Sequence, residues 1–163
     1  MGQYFSKKTQ EYKKEIKVKP LKIVNFEGFW YLIALDVRND KLKKYHPKSI
    51  SNIRLLDIIF TINKDLDELL ENSINIWFDS NIKPFEVILY LNKYAAKILK
   101  RKPISKSQRV ISEYKDGSCD ISLMITDARE ITSIIKYWIP HVKVVSPKAI
   151  GKSIMKDIQK FIS

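Results

Sequence analysis

Seven apolar residues stand together at Phe29-Trp30-Tyr31-Leu32-Ile33-Ala34-Leu35, the first three of them aromatic. Glu27-Gly28 precedes the run as a turn signal, and Asp36 closes it. β-branched and aromatic residues bounded by turn residues predict a strand buried on both faces. Such a strand needs a closed sheet or one covered on both sides, which constrains residues 1–63 more than any other feature. Gln3-Tyr4-Phe5 begins inside a strand, and Glu15 to Pro20 alternates apolar and polar residues until the proline ends it. Leu21 to Asn25 continues extended, Arg38-Asn39-Asp40 forms a turn cluster, and Lys44 to Pro47 is a short extended piece. Ile50 to Ile62 carries Ile53, Leu55, Leu56, Ile58, Ile59 and Phe60 and reads as a second largely buried strand. Several short strands with little helix predict a small β-barrel over residues 1–63.

The pattern changes after residue 63. Leu66, Leu69, Leu70, Ile74 and Trp77 recur at three- and four-residue steps, predicting an acidic helix over residues 64–79. Asn81-Ile82-Lys83-Pro84 is the candidate linker, so residues 64–84 read as a connecting segment. From residue 85 to 163 the periodicities give strand (Val87, Leu89, Leu91), helix (Tyr94, Ala95, Ile98, Leu99), and strand (Arg109 to Tyr114). An Asp116-Gly117 hairpin turn, strand (Ile121, Leu123, Ile125), helix, strand (Val142 to Val145) and a last helix follow. Asp127 is the expected N-cap of the helix bearing Ile131, Ile134, Ile135 and Trp138. Ser146-Pro147 opens the last helix, with Ile150, Ile154, Ile158 and Phe161 in one stripe. This βαββαβ(α) order is that of a ferredoxin-like domain, so the chain as a whole is predicted to be α+β.

Thirty Lys and Arg against eighteen Asp and Glu leave a net charge of +12. The excess is segregated: residues 1–22 hold seven Lys and two Glu, residues 93–109 hold seven bases and no acid, and residues 64–80 hold one Lys and five acids. Basic patches predict polyanion partners, while only five of the bases being Arg fits equally a lysine-decorated solvated surface. The single cysteine, Cys119, excludes an intrachain disulfide, fits a reducing cytoplasm, and is expected to be a buried, inert thiol. One Cys and two His, His46 and His141, offer no Cys/His metal set. No apolar run approaches the length that crosses a bilayer, and no signal peptide is apparent. Met1-Gly2-Gln3-Tyr4-Phe5-Ser6 fits a myristoylation pattern followed by Lys7-Lys8, but Tyr4-Phe5 within a strand makes lipidation the weaker reading. Hydrolase, phosphate-loop and metalloprotease signatures are missing, so the chain is not expected to be an enzyme.

Lys19-Pro20-Leu21, followed by Glu27-Gly28-Phe29-Trp30-Tyr31-Leu32-Ile33-Ala34, resembles the WYL-domain family of bacterial transcriptional regulators: a Pro-containing strand, a Gly turn and the Trp-Tyr-Leu that names the family. Asp116-Gly117 and Val144-Val145-Ser146-Pro147 resemble the family's C-terminal extension, so the resemblance covers nearly the whole chain. It implies an Sm-like (SH3-like) β-barrel followed by the ferredoxin-like extension, in a cytoplasmic homodimer without a cofactor. The implied function is a ligand-sensing module that binds a nucleotide or single-stranded nucleic acid and controls transcription. DNA would be read by a helix-turn-helix that is missing here or supplied separately. The alternative is a stand-alone nucleic-acid-binding accessory protein with no sensing role. The chain departs from the family pattern at Tyr45 to Ile50, where His46 and Ser49 occupy the positions of two family arginines.

Lys44, Tyr45, His46 and Lys48 group cations and an aromatic ring, the combination that single-stranded nucleic acid requires. Tyr31 would present its hydroxyl to a pocket, and Arg54 is a candidate phosphate partner whose ordinary reading is a surface ion pair. Trp30 and Leu32 are expected to be structural. Lys97, Lys100, Arg101, Lys102, Lys106 and Arg109 form a second basic patch, which cations favourably placed at a helix C-terminus would also explain.

Overall fold

A computed structural model describes residues 2–6, 11–61 and 65–162. Lys7, Lys8, Ile62 and Lys64, which entered the sequence reading, lie outside these described residues. The chain is α+β and divides into two compact units, residues 1–64 and 65–163.

The first unit contains β1 (Gly2–Ser6), β2 (Glu11–Ile16), β3 (Val18–Phe26), β4 (Phe29–Asp36), β5 (Lys41–Tyr45) and β6 (Ile50–Ser51). They form two antiparallel three-stranded sheets, ordered β2-β1-β6 and β3-β4-β5. A two-residue turn joins β3 to β4, with Glu27 at φ 52° and Gly28 at φ 84°. Two consecutive left-handed residues give the turn whose twist matches that of a hairpin, and Asn25 Oδ1 accepts the Gly28 N–H at 3.2 Å. Pro20 does not end its strand. It lies opposite Ala34 beside a register shift in β3, an edge strand of its sheet, where a residue without an N–H is tolerated.

The opening run is β4, the central strand of its sheet, yet its burial is graded. Ile33 and Ala34 are fully buried, whereas Phe29 and Trp30 are more than half exposed (58% and 57%). The hairpin carries these two past the sheet's centre, so the strand is not buried on both faces along its whole length; Leu32 is half-buried. The second predicted strand is corrected more strongly. Among its described residues only Ile50 and Ser51 pair, Asn52 turns left-handed at φ 52°, and residues 53–59 run without a ladder. Leu55 and Ile59 are 94% and 100% exposed. Asn tolerates that conformation better than most residues, so it stops an extended segment that composition alone would continue.

The second unit comprises α1 (Asp65–Asn72), β7 (Phe85–Leu91), α2 (Lys93–Leu99), β8 (Arg109–Glu113), β9 (Cys119–Ile125), α3 (Arg129–Tyr137), β10 (Val142–Ser146) and α4 (Lys148–Ile162). Its antiparallel sheet has the order β10-β7-β9-β8. Val87, Leu89 and Leu91 of β7 and Ile121, Leu123 and Ile125 of β9 alternate onto one face. They join Ala95, Ala96, Leu99, Ile131, Ile135, Ile150 and Ile154 of the helices in one buried cluster that also takes in Cys119, whose thiol burial pushes up. Asn92 caps α2, accepting the Ala95 N–H at 3.0 Å. Asp127 Oδ1 accepts the Arg129 N–H at 2.8 Å at the start of α3. Phe161, the last residue of the stripe expected on α4, is 91% exposed.

The acidic helix is half its predicted length. It ends at Asn72, where Ser73 Oγ donates to Leu69 O at 2.6 Å, and the chain then bonds elsewhere. Glu130 Oε2 accepts the Ile74 N–H at 3.1 Å, and buried Asn75 donates through Nδ2 to Glu130 O at 3.0 Å. Polar side chains that offer the backbone other partners compete with a further helical turn.

Candidate functional site

In the first unit, register decides which predicted site residues meet. Leu32 pairs with Tyr45, and Ile33 pairs with Lys44. Successive side chains alternate between faces, so Tyr31, Ile33 and Lys44 share one face of β4-β5, while Leu32 and Tyr45 share the other. His46 follows β5 and meets Tyr31 edge-on, with ring centroids 6.0 Å apart and planes at 89°. Lys48 is exposed on the single 3-10 turn Pro47–Ser49 that follows. Tyr31, Lys44 and His46, each half-buried, therefore share a face with fully buried Ile33, and Lys48 lies on the next turn.

Tyr45 and Arg54 belong to a different feature. With Ile16, Lys17, Val18, Lys19 and Pro20 they line a cavity of about 510 Å³, walled on another side by Leu55, Leu56, Ile58 and Phe60. Tyr45 is buried and Arg54 exposed. The six residues predicted as one site thus divide between a polar face and an apolar groove. The alternation of Tyr31 with Leu32 carried this division; the pairing of Leu32 with Tyr45 is a tertiary fact. Sequence reasoning missed the groove because Ile53 to Phe60 read as a buried strand rather than as a strap beside a cavity.

The turn after β4 is fixed by charge. Asp36 is buried at 1% exposure, and its carboxylate accepts the Arg38 Nε at 3.0 Å, Nη2 at 2.6 Å and backbone N–H at 3.0 Å. This fork holds the Asp36 carboxyl at about 2, below its ordinary 3.8. Lys19 Nζ lies 3.2 Å from Asp40 Oδ1 on the same turn.

The second basic patch is largely committed within its own unit. Lys100 pairs with Glu113 at 3.0 Å and Lys106 with Glu71 at 3.1 Å. Arg109 Nη1 donates to the carbonyls of Lys106 and Gln108, and Arg101 Nε to that of Lys97. Lys97 and Lys102 are exposed. Among the described residues no cluster of three metal-ligating side chains occurs, and no helix is long and apolar enough to cross a membrane.

Two antiparallel sheets, with an aromatic and basic strand face, are followed by a βαββαβα unit. Residues 3–55 match the WYL domain and residues 83–162 match the WCX domain. The chain belongs to the WYL-domain family and carries a WYL domain followed by a WCX domain. No curated protein matches it. Among solved structures, a CRISPR Cas-related protein shares the fold with a TM-score of 0.62 at 13% identity, over 99% of this chain and 46% of that one. Proteasome accessory factor B/C (PafBC) of Arthrobacter aurescens aligns at 18% identity and a TM-score of 0.42, over 97% of this chain and 24% of that one. The chain thus spans about half and about a quarter of these two proteins.

Proposed function

We propose that this chain is the ligand-sensing and dimerisation module of a WYL-type transcriptional regulator, cytoplasmic and non-enzymatic. Its first unit would be an Sm-like barrel and its second a ferredoxin-like extension, a reading supported by the β10-β7-β9-β8 order with helices after β7 and β9. The effector is a nucleotide or single-stranded nucleic acid. The observation that carries this reading is the face on which Tyr31 stands edge-on to His46 at 6.0 Å, with Lys44 on the same side of the sheet. An aromatic pair offers a stacking surface to a base, and the lysines, Lys48 included, answer phosphate. Effector binding would act on a DNA reader by shifting a population of conformations.

The experiment is a titration of the full chain with mononucleotides and with short single strands at several salt concentrations. A nucleotide that saturates, raises the melting temperature and displaces the strand supports the sensor. The Tyr31→Ala/His46→Ala double variant should then lose most of that affinity. Steep salt dependence of strand binding with no nucleotide effect supports the stand-alone accessory protein instead. Absence of both at low salt overturns both readings.

A further inference from the structure

The groove on the opposite face of β4-β5 has its own chemistry. Its volume, about 510 Å³, is that of a small-molecule site. The described charged residues lining it are Lys17, Lys19 and Arg54, all cations, and every other lining residue is apolar or aromatic. Lys19 pairs with Asp40 at 3.2 Å, and Lys17 and Arg54 are exposed at the solvent side of the groove. The wall formed by residues 53–60 has no β-ladder, and Ile53, Ile58 and Ile59 are 71%, 70% and 100% exposed. A segment so apolar and so little buried gains most from a ligand that covers it.

We propose that this groove binds an anionic amphiphile, its apolar body between Val18, Pro20 and Leu32 on one side and Leu56, Ile58 and Phe60 on the other, its carboxylate or phosphate head at Lys17 and Arg54. A nucleotide is the wrong occupant here. Tyr45 supplies the only uncharged polar side-chain atom among the described lining residues, and burying a base's polar edges without partners is costly. A zwitterionic or cationic amphiphile would meet like charge. The site lies across β4-β5 from the Tyr31–His46 face and stands or falls independently of it.

The test uses the full chain with dodecanoate, dodecanol and dodecyltrimethylammonium, measured below their micelle concentrations by displacement of anilinonaphthalene sulfonate and by calorimetry. Dodecanoate should bind at one site per chain, about ten-fold or more tighter than dodecanol, with the cationic chain weaker still. Lys17→Gln/Arg54→Gln should abolish the preference for the anion while dodecanol binding is retained. Ile58→Glu, at an exposed position of the wall, should weaken all three. Equal binding of the three probes overturns the proposal, as does indifference to the variants or displacement by a mononucleotide. Light scattering that finds a dimer dissociated by Ile58→Glu, with no dodecanoate bound to either form, also overturns it and assigns the groove to a second copy. Tyr31→Ala/His46→Ala leaves dodecanoate binding unchanged, which separates failure here from failure of the effector reading.

Discussion

The two units use similar apolar compositions to opposite ends. In the second, β7 and β9 and the faces of α2, α3 and α4 meet in one continuous cluster, with Val87, Leu89, Ile121 and Ile131 at 0% exposure. In the first, Ile33, Ala34 and Tyr45 are the buried apolar residues among the described side chains, while Ile23, Trp30, Ile53, Leu55, Ile58 and Ile59 remain mostly exposed. The cavities differ as well. That of the first unit is about 510 Å³ with cations on its wall; that of the second is about 340 Å³ and includes Glu68 and Glu130. The second unit encloses a large cluster even though Tyr137 and Phe161 stay exposed. The first encloses few apolar side chains among the described residues, and a binding module needs surface that its own chain has not consumed.

Removing Glu130 should produce the largest effect and bears on the second unit. This carboxylate, 1% exposed, accepts the Thr126 N–H and hydroxyl, the Asp127 N–H and the Ile74 N–H, which ties residues 73–79 to the start of α3. Glu130→Ala strands those donors, and we expect a loss of about 4 kcal/mol in denaturant unfolding. Leu123→Ala, a cavity at the middle of β9, should cost about 3 kcal/mol. Peptide-resolved hydrogen exchange should place the lost protection in residues 65–162. A loss spread equally over β3, β4 and β5 would break the contrast between a self-sufficient unit and an incomplete one.

How much of this the amino-acid order revealed follows the same divide. The second unit was legible because its periodicities of two and 3.6 describe elements that bury one face against each other. In the first unit, β4 was legible from its turn and its aromatic run, but the exposure of Trp30 was not, because position along a hairpin is set by where the partner strands end. The segment from Ile53 to Phe60 has strand composition, and nothing in composition states whether a neighbouring strand exists to pair with it. The structure divides the predicted site residues into two groups, since Tyr31 and Lys44 share a face only once Ile33 is known to oppose Lys44. Glu130 stands at the capping-box position three residues after Asp127 and accepts its N–H, but its bond to the Ile74 N–H, 56 residues away in the chain, carried no signal.

Acid should discriminate the units next, with a smaller effect than either core change. The Asp36 carboxyl sits at about 2 in the fold against an ordinary 3.8, so its contribution is complete above the ordinary value and disappears as pH falls through the folded one. Asp116, hydrogen-bonded by Ser118, and Asp157, paired with Lys136, are also lowered in the second unit. The informative quantity is therefore the difference between the wild type and Asp36→Asn. Unfolding followed from about pH 5 to pH 2 should show a wild-type advantage that narrows only below the ordinary carboxyl range. A constant difference across that span would mean that the Arg38 fork contributes geometry rather than charge.

Trp30→Ser should have the smallest effect, and its size bears most directly on the incomplete unit. A Trp 57% exposed beside a hairpin turn and opposite Asn25 has little apolar surface to lose, so the expected change is within about 0.5 kcal/mol. That holds if the tip of the hairpin faces water. If the tip is covered by a second copy of the chain, the same substitution removes an aromatic anchor of an interface, where a central Trp carries about 2 kcal/mol or more. The two cases separate in one measurement. Unfolding midpoints taken over a range of protein concentrations stay level for a solvated tip and rise with concentration for a covered one. A concentration-dependent midpoint that Trp30→Ser abolishes would show that the first unit completes its apolar surface with its own kind. A level midpoint would leave the groove beneath Ile53 to Phe60 as the place where its unspent apolar surface is used.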